Sequence, residues 1–157
     1  MIRDEAAQLL AQYRAGLEAQ IALLRQLEAV ASRQRTVSES RDFERLNVES
    51  DRRDSLTRSL VEIEQGLAAG LRAMGASRQT VATLEGLSEV ISLRRTTANL
   101  VARILATDQL SLQSLANAEL ARRSALASLE RGETTLAAYR KVLTPAVASA
   151  AFFDRRG

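Results

Sequence analysis

The chain has no cysteine, no histidine and no tryptophan, one proline, one lysine and only five aromatic rings in 157 residues. Each gap removes a class of protein. Without cysteine there is no disulfide framework, no thiol nucleophile and no thiolate metal site, and the redox compartment stays open. Without histidine the commonest general base and the commonest zinc ligand are gone, and the Glu-x-x-His element of carboxylate-bridged metal sites in helical bundles cannot be written. No Gly-rich phosphate loop, Gly-x-Ser-x-Gly elbow or dinucleotide fingerprint occurs. No stretch reaches the roughly 18 apolar residues of a membrane helix, and the opening MIRDEAAQLL carries charge where a signal peptide needs an apolar core. The expectation is a cytoplasmic protein that is not an enzyme, has no cofactor or metal site and does not insert into a membrane.

What is present is a helix-former's alphabet, dominated by Ala, Leu, Arg, Glu, Gln and Ser. Hydrophobic residues make up 46% of the chain and charged residues 26%, enough apolar surface to fold as one domain and too much for a disordered chain. The sequence pI of about 10.1 reflects arginine in place of lysine, because 22 basic residues face 19 acidic ones for a net charge of only +3. Pairs such as Arg52-Arg53, Arg94-Arg95, Arg122-Arg123 and Arg155-Arg156 are scattered and diluted by carboxylates. That distribution argues against a nucleic-acid surface.

Three long amphipathic patterns organise the chain. From Asp4 to about Arg35, Leu10, Tyr13, Leu17, Ile21, Leu24, Leu27 and Ala31 fall in steps of three and four, a stripe narrow enough for coiled-coil packing. A break is expected at RTVSES, with Thr36 and Glu39 as a capping box or Ser38 or Ser40 as the N-cap. A second helix from near Arg41 carries Phe43, Leu46, Leu56, Leu60, Ile63, Leu67, Leu71 and Met74, with the polar interval ESDRRDS marking either a kink or a stretch beyond the partner helix. Gly75 stands where a C-terminal stop belongs, with Arg72 in the last turn. Gly66 and Gly70 either admit another backbone or are weak spots costing about 1 kcal/mol each.

After GASRQ, Ser77 or Thr80 would cap a short helix ending near Gly86. A long third helix follows from about Leu87 to Arg131. The stripe read along this region is Val81, Leu84, Leu87, Ile91, Ala98, Val101, Leu105, Leu112, Leu115, Leu126 and Leu129. Gly132 then interrupts it, Thr134 caps a fourth stretch through Leu143, and Pro145 closes that. No segment alternates with period two. The predicted fold is all-α: an elongated antiparallel helical hairpin or three-helix bundle with a short C-terminal helix and tail, residues 1–132 forming the bundle and 133–157 the amphipathic segment and aromatic tail.

The acidic clusters, Glu49 with Asp51 and Asp54, Glu62 with Glu64, and Glu130 with Glu133, are interleaved with arginines as on solvated helix faces. Asp108 lies on the apolar side of ILATDQLSLQSL. There it either needs an arginine from a neighbouring helix or marks a seam that drifts around it. Tyr139, Phe152 and Phe153 are concentrated in the last 21 residues, around Pro145. They are either rigid anchors for a partner or rings that fold back onto the bundle's own core.

A long first helix, the Asp- and Arg-rich RDFERLNVESDRRDSLTRSLVEIE, the break at RAMGASRQT, the long helix carrying LVARILATDQLSLQSL and the ending LERGETTLAAYRKVLTPAVASAAFFDRRG together resemble flagellar type III export chaperones of the FlgN type, with the related FliT group close behind. The resemblance covers nearly the whole chain and is one of helical pattern. It implies a cytoplasmic chaperone that holds a flagellar hook-filament junction or cap protein and delivers it to the export gate. By position it further implies that Leu136, Tyr139, Val142 and Leu143 form an apolar partner-binding face and that Tyr139 docks to the gate. Two features depart from the family: a slightly basic rather than acidic chain, and Thr107, Asp108 and Ser111 in place of the asparagines usual in the third helix. The alternative is a non-enzymatic coiled-coil adaptor or self-assembling protein, including a homodimer, whose seams close on a second copy.

Overall fold

The computed structural model describes residues 2–143. They form α1 (Ile2–Ser40), α2 (Phe43–Gly75), the single turn α3 (Arg78–Val81) and α4 (Leu87–Leu143), with no strand among the described residues. No helix among them is long and apolar enough to cross a membrane. The all-α expectation holds, and all seven apolar residues read from the first stripe are buried.

The turn between α1 and α2 forms later than RTVSES predicts. Thr36, Ser38 and Ser40 donate their hydroxyls back to the carbonyls of Ser32, Gln34 and Val37 at 3.2, 2.7 and 3.1 Å, and Glu39 pairs with Arg35 one turn earlier, so no capping box forms. Such back-bonding satisfies a hydroxyl inside a helix as well as a cap would outside it. The chain leaves α1 at Arg41, in the left-handed region at φ 59°, and the Asp42 N–H donates to the Val37 carbonyl at 3.2 Å, the six-to-one bond of a Schellman stop. The Asp42 carboxylate accepts from the Arg45 N–H at 3.2 Å, so the residue after the stop is the N-cap of α2. A side chain at the left-handed position is strained where glycine is not. Arg41→Gly is expected to raise the unfolding free energy by about 1 kcal/mol, read as a higher urea midpoint.

Residues 1–115 and 116–157 are two compact units. In the first, α2 runs antiparallel to α1, with Arg33 on Glu49 at 3.0 Å and Gln34 on Ser50 at 3.3 Å near the turn, and Gly16 against Leu67 toward the other end. The close approach is at Gly16, where a Cβ would stand 2.8 Å from Leu67 Cδ2. Gly66 has no neighbour at that range, and a Cβ at Gly70 would make ordinary contact with the Tyr13 ring. α4 runs parallel to α1: Arg14 pairs with Glu89, Thr97 donates to Gln20 at 3.4 Å, and Arg103 donates to Glu28 at 2.9 Å. These pairs hold an offset of about 75 residues, at which the end of α1 falls level with Leu115, the last residue of the first unit.

Two clusters make the core. Ala6, Leu10, Tyr13, Leu17, Met74, Val81 and Val90 form one, in which α3 contributes its only buried side chain. Ile21, Leu24, Leu27, Ala31, Leu60, Leu100 and Ile104 form the other, and Leu93 packs against both. Gly86, at φ +90°, lets the chain turn into α4, whose first bond runs from the Val90 N–H to the Gly86 carbonyl at 3.1 Å.

The short separate helix expected after Gly132 does not form. α4 continues through Gly132 to Leu143, and Thr134 donates to the Glu130 carbonyl at 3.0 Å as an interior residue instead of capping. One glycine costs a helix about 1 kcal/mol, too little to end one of this length.

Candidate partner-binding site

Leu136, Tyr139, Val142 and Leu143 fall on the last turns of α4, with their side chains outside the described residues, and Phe152 and Phe153 lie outside the described residues altogether. The described surface nearest them in sequence is the α4 segment from Ala116 onward. Its large apolar side chains Leu120, Leu126 and Leu129 are all exposed, Leu129 at 68%.

α4 also corrects the reading of its own stripe. The side chains packed into the bundle are Val90, Leu93, Leu100 and Ile104, with Ser111 in the same phase, whereas Ile91, Val101, Leu105 and Leu112 stand in solvent, Leu105 at 61% and Leu112 at 65%. Val81, Leu84 and Leu87 do lie in or against the core. The helix has two apolar stripes side by side, one residue out of phase, and periodicity alone does not say which faces α1. The polar partners decide: Glu89, Thr97 and Arg103 must reach Arg14, Gln20 and Glu28, which turns the Leu100 stripe inward. On α2, Leu60 and Met74 are buried as read, while Phe43 and Leu71 are exposed.

The polar interval of α2 lies inside one uninterrupted helix and does not outreach its partner, since Glu49 and Ser50 meet Arg33 and Gln34 of α1. Glu49, Ser50 and Arg53 occupy the inward stripe and build a polar layer across three helices. Glu49 Oε1 accepts from Arg33 at 3.0 Å and Arg52 at 3.2 Å. Arg53 donates Nη1 to Gln34 Oε1 at 2.8 Å and to Asp108 Oδ1 at 2.6 Å, and Nη2 to Asp108 Oδ2 at 2.5 Å. This two-pronged fork on Asp108 is the arginine partner that the sequence required of a carboxylate on that face. The hydrogen bond to Asp108 raises the Arg53 pKa above its ordinary value, against the opposing effect of burial. Gln34 was not anticipated, because nothing in the spacing of α1 marks it as the residue that Arg53 reaches.

Beside Val90, a cleft of about 330 Å³ opens over Leu10, Tyr13 and Met74 and is rimmed by Leu71, Ile91 and Arg94. Farther along α4, Glu119 accepts from Arg122 Nη2 at 2.8 Å and from Arg123 at 3.1 Å. The Arg122 guanidinium, with Arg123 beside it, holds the Glu119 carboxyl down at about 2. Among the described residues no group of three or more His, Cys, Asp or Glu side chains is placed to hold a metal ion. The surface offers apolar helix faces edged by arginine–carboxylate pairs, which suits the docking of another amphipathic helix. Comparison with protein-family models, with curated proteins and with solved structures gives no match.

Proposed function

We propose that the protein is a non-enzymatic export chaperone of the flagellar type. On this reading it acts in the cytoplasm, where the distal part of α4 and the tail after it hold a hook-filament junction or cap protein for delivery to the export gate. The observation that carries the reading is the exposure of Leu120, Leu126 and Leu129 on the α4 segment leading into Leu136, Tyr139, Val142 and Leu143. Leu126 and Leu129, three residues apart on one face of the helix, match a client that presents its own amphipathic helix. The pattern resemblance to FlgN-type chaperones supplies the client class.

The test compares the full chain with a chain ending after Thr144, each run through size exclusion with light scattering alone and with a hook-filament junction protein. A stable complex with the full chain, lost on truncation while helicity is unchanged, is the expected result. If neither chain binds and truncation changes the fold or the oligomer, the tail belongs to the protein's own assembly. A second reading, a coiled-coil adaptor, is favoured by one observation of its own, the exposed second stripe of α4.

A further inference from the structure

The cleft beside the start of α4 joins an apolar floor to cations that hold no carboxylate. Tyr13, Met74, Val81 and Val90, one from each of the four helices, are buried at its floor, and Leu71 and Ile91 stand half exposed as its walls. The charged residues lining it are Arg78 and Arg94, with no acidic side chain among them. Neither guanidinium lies within hydrogen-bond or ion-pair distance of another described residue, whereas Arg14, Arg33, Arg53 and Arg103 each hold a carboxylate. Tyr13 is only 7% exposed, yet its hydroxyl also bonds no described residue, an unusual state for a buried tyrosine. Tyr13 and Arg94 line the adjoining shallow groove as well, so this ring and this guanidinium border the same edge of the cleft; Glu64 lines that groove and not the cleft.

We propose that this cleft binds a small anionic amphiphile, a single short apolar chain ended by a carboxylate, with the chain on the Met74 and Val90 floor and the carboxylate at the arginine rim. Each part of the ligand answers a part of the cleft. Two cations and no anion in an otherwise apolar lining attract negative charge and turn away an amine. A bare inorganic anion would leave the floor uncovered, and covering that floor is what the chain contributes. The volume of about 330 Å³ stands at the small end of ligand clefts, which run from about 300 to 1,000 Å³, so it suits one short chain and not the two long chains of a membrane lipid. Walls drawn from four helices surround a compact ligand, where a partner helix needs a groove that runs on along its length. The cleft lies wholly within residues 1–115 and needs no client, so the inference does not rest on the chaperone reading.

The test is titration calorimetry of the full chain at pH 7 with octanoate, 1-octanol and octylammonium, three probes that share a chain and differ in charge. Octanoate is expected to bind once per chain and about tenfold more tightly than octanol, the gain of a hydrogen bond to a charged group, and octylammonium more weakly than either. The double variant R78Q/R94Q is expected to bring octanoate down to the affinity of octanol, and Tyr13→Phe to weaken octanoate severalfold. Arg78 and Arg94 are exposed, so circular dichroism should show unchanged helicity in the double variant. Leu112→Gln, on the exposed stripe of α4 and outside the cleft, is expected to leave binding as it was. No octanoate binding, equal affinity for octanoate and octanol, binding that survives R78Q/R94Q undiminished, or binding lost in Leu112→Gln overturns the proposal.

Discussion

Leu100→Ala is expected to lower the unfolding free energy by about 3 kcal/mol, the middle of the range for a leucine removed from a packed core. Leu100 is 2% exposed and sits in the cluster where α4 meets Ile21 and Leu24 of α1 and Leu60 of α2. Removing its isopropyl group takes away contacts to two other helices at once, and three rigid helices close only partly over the space left behind. Leu120→Ala, on the same helix at a position 63% exposed, is expected to change stability by no more than about 0.5 kcal/mol. Urea unfolding followed by circular dichroism checks both, with the slope against denaturant unchanged so that the midpoint shift reports stability. Against a typical total of about 5–15 kcal/mol, the Leu100 loss is a large share. Equal effects from the two substitutions would show that the Leu100 stripe is not the one turned inward.

Arg53→Ala is expected to cost about 2 kcal/mol, although it removes a charged residue from a helical interface. The substitution leaves the Asp108 carboxylate without its fork and Gln34 without a donor, and an unpaired charge away from water costs more than the pair had contributed. The figure lies below that for a fully buried pair because the side chains keep 27% and 22% of their surface exposed, which screens the charge left behind. Replacing both members with apolar residues, Arg53→Met with Asp108→Leu, removes the stranded charge. This double variant is expected to recover to within about 1 kcal/mol of the wild type. A double-mutant cycle by urea unfolding measures the coupling. An Arg53→Ala protein as stable as the wild type would mean that the layer does not hold the helices together.

These two predictions depend on different levels of information. The helical character of Leu100 and the need of Asp108 for an arginine follow from local spacing and from the cost of burying a carboxylate. That Leu100 rather than Leu105 faces the core does not follow, since both stripes repeat with nearly the same period and differ only by one residue of rotation. The arginine at Asp108 comes from a helix 55 residues away. Nothing in the polar interval of α2 singles out Arg53 over Arg52, which turns instead to Glu49. The candidate site was legible in the same uneven way. Leu126 and Leu129 were read as part of a core stripe, and they are exposed.

By itself, the amino-acid sequence determined an all-α protein, the burial of the α1 stripe from Leu10 to Ala31, and the end of α2 at Gly75. Those properties depend on helix propensity and on the spacing of apolar residues within one segment, and both are local. The tertiary structure decided that α1 runs on to Ser40, that α4 passes through Gly132, which stripe of α4 is covered and where the polar layer closes. The first two turn on a difference of about 1 kcal/mol or less within a helix, the choice between two positions for a hydroxyl hydrogen bond or the cost of one glycine. The last two are settled by the packing and ion pairs that a neighbouring helix supplies.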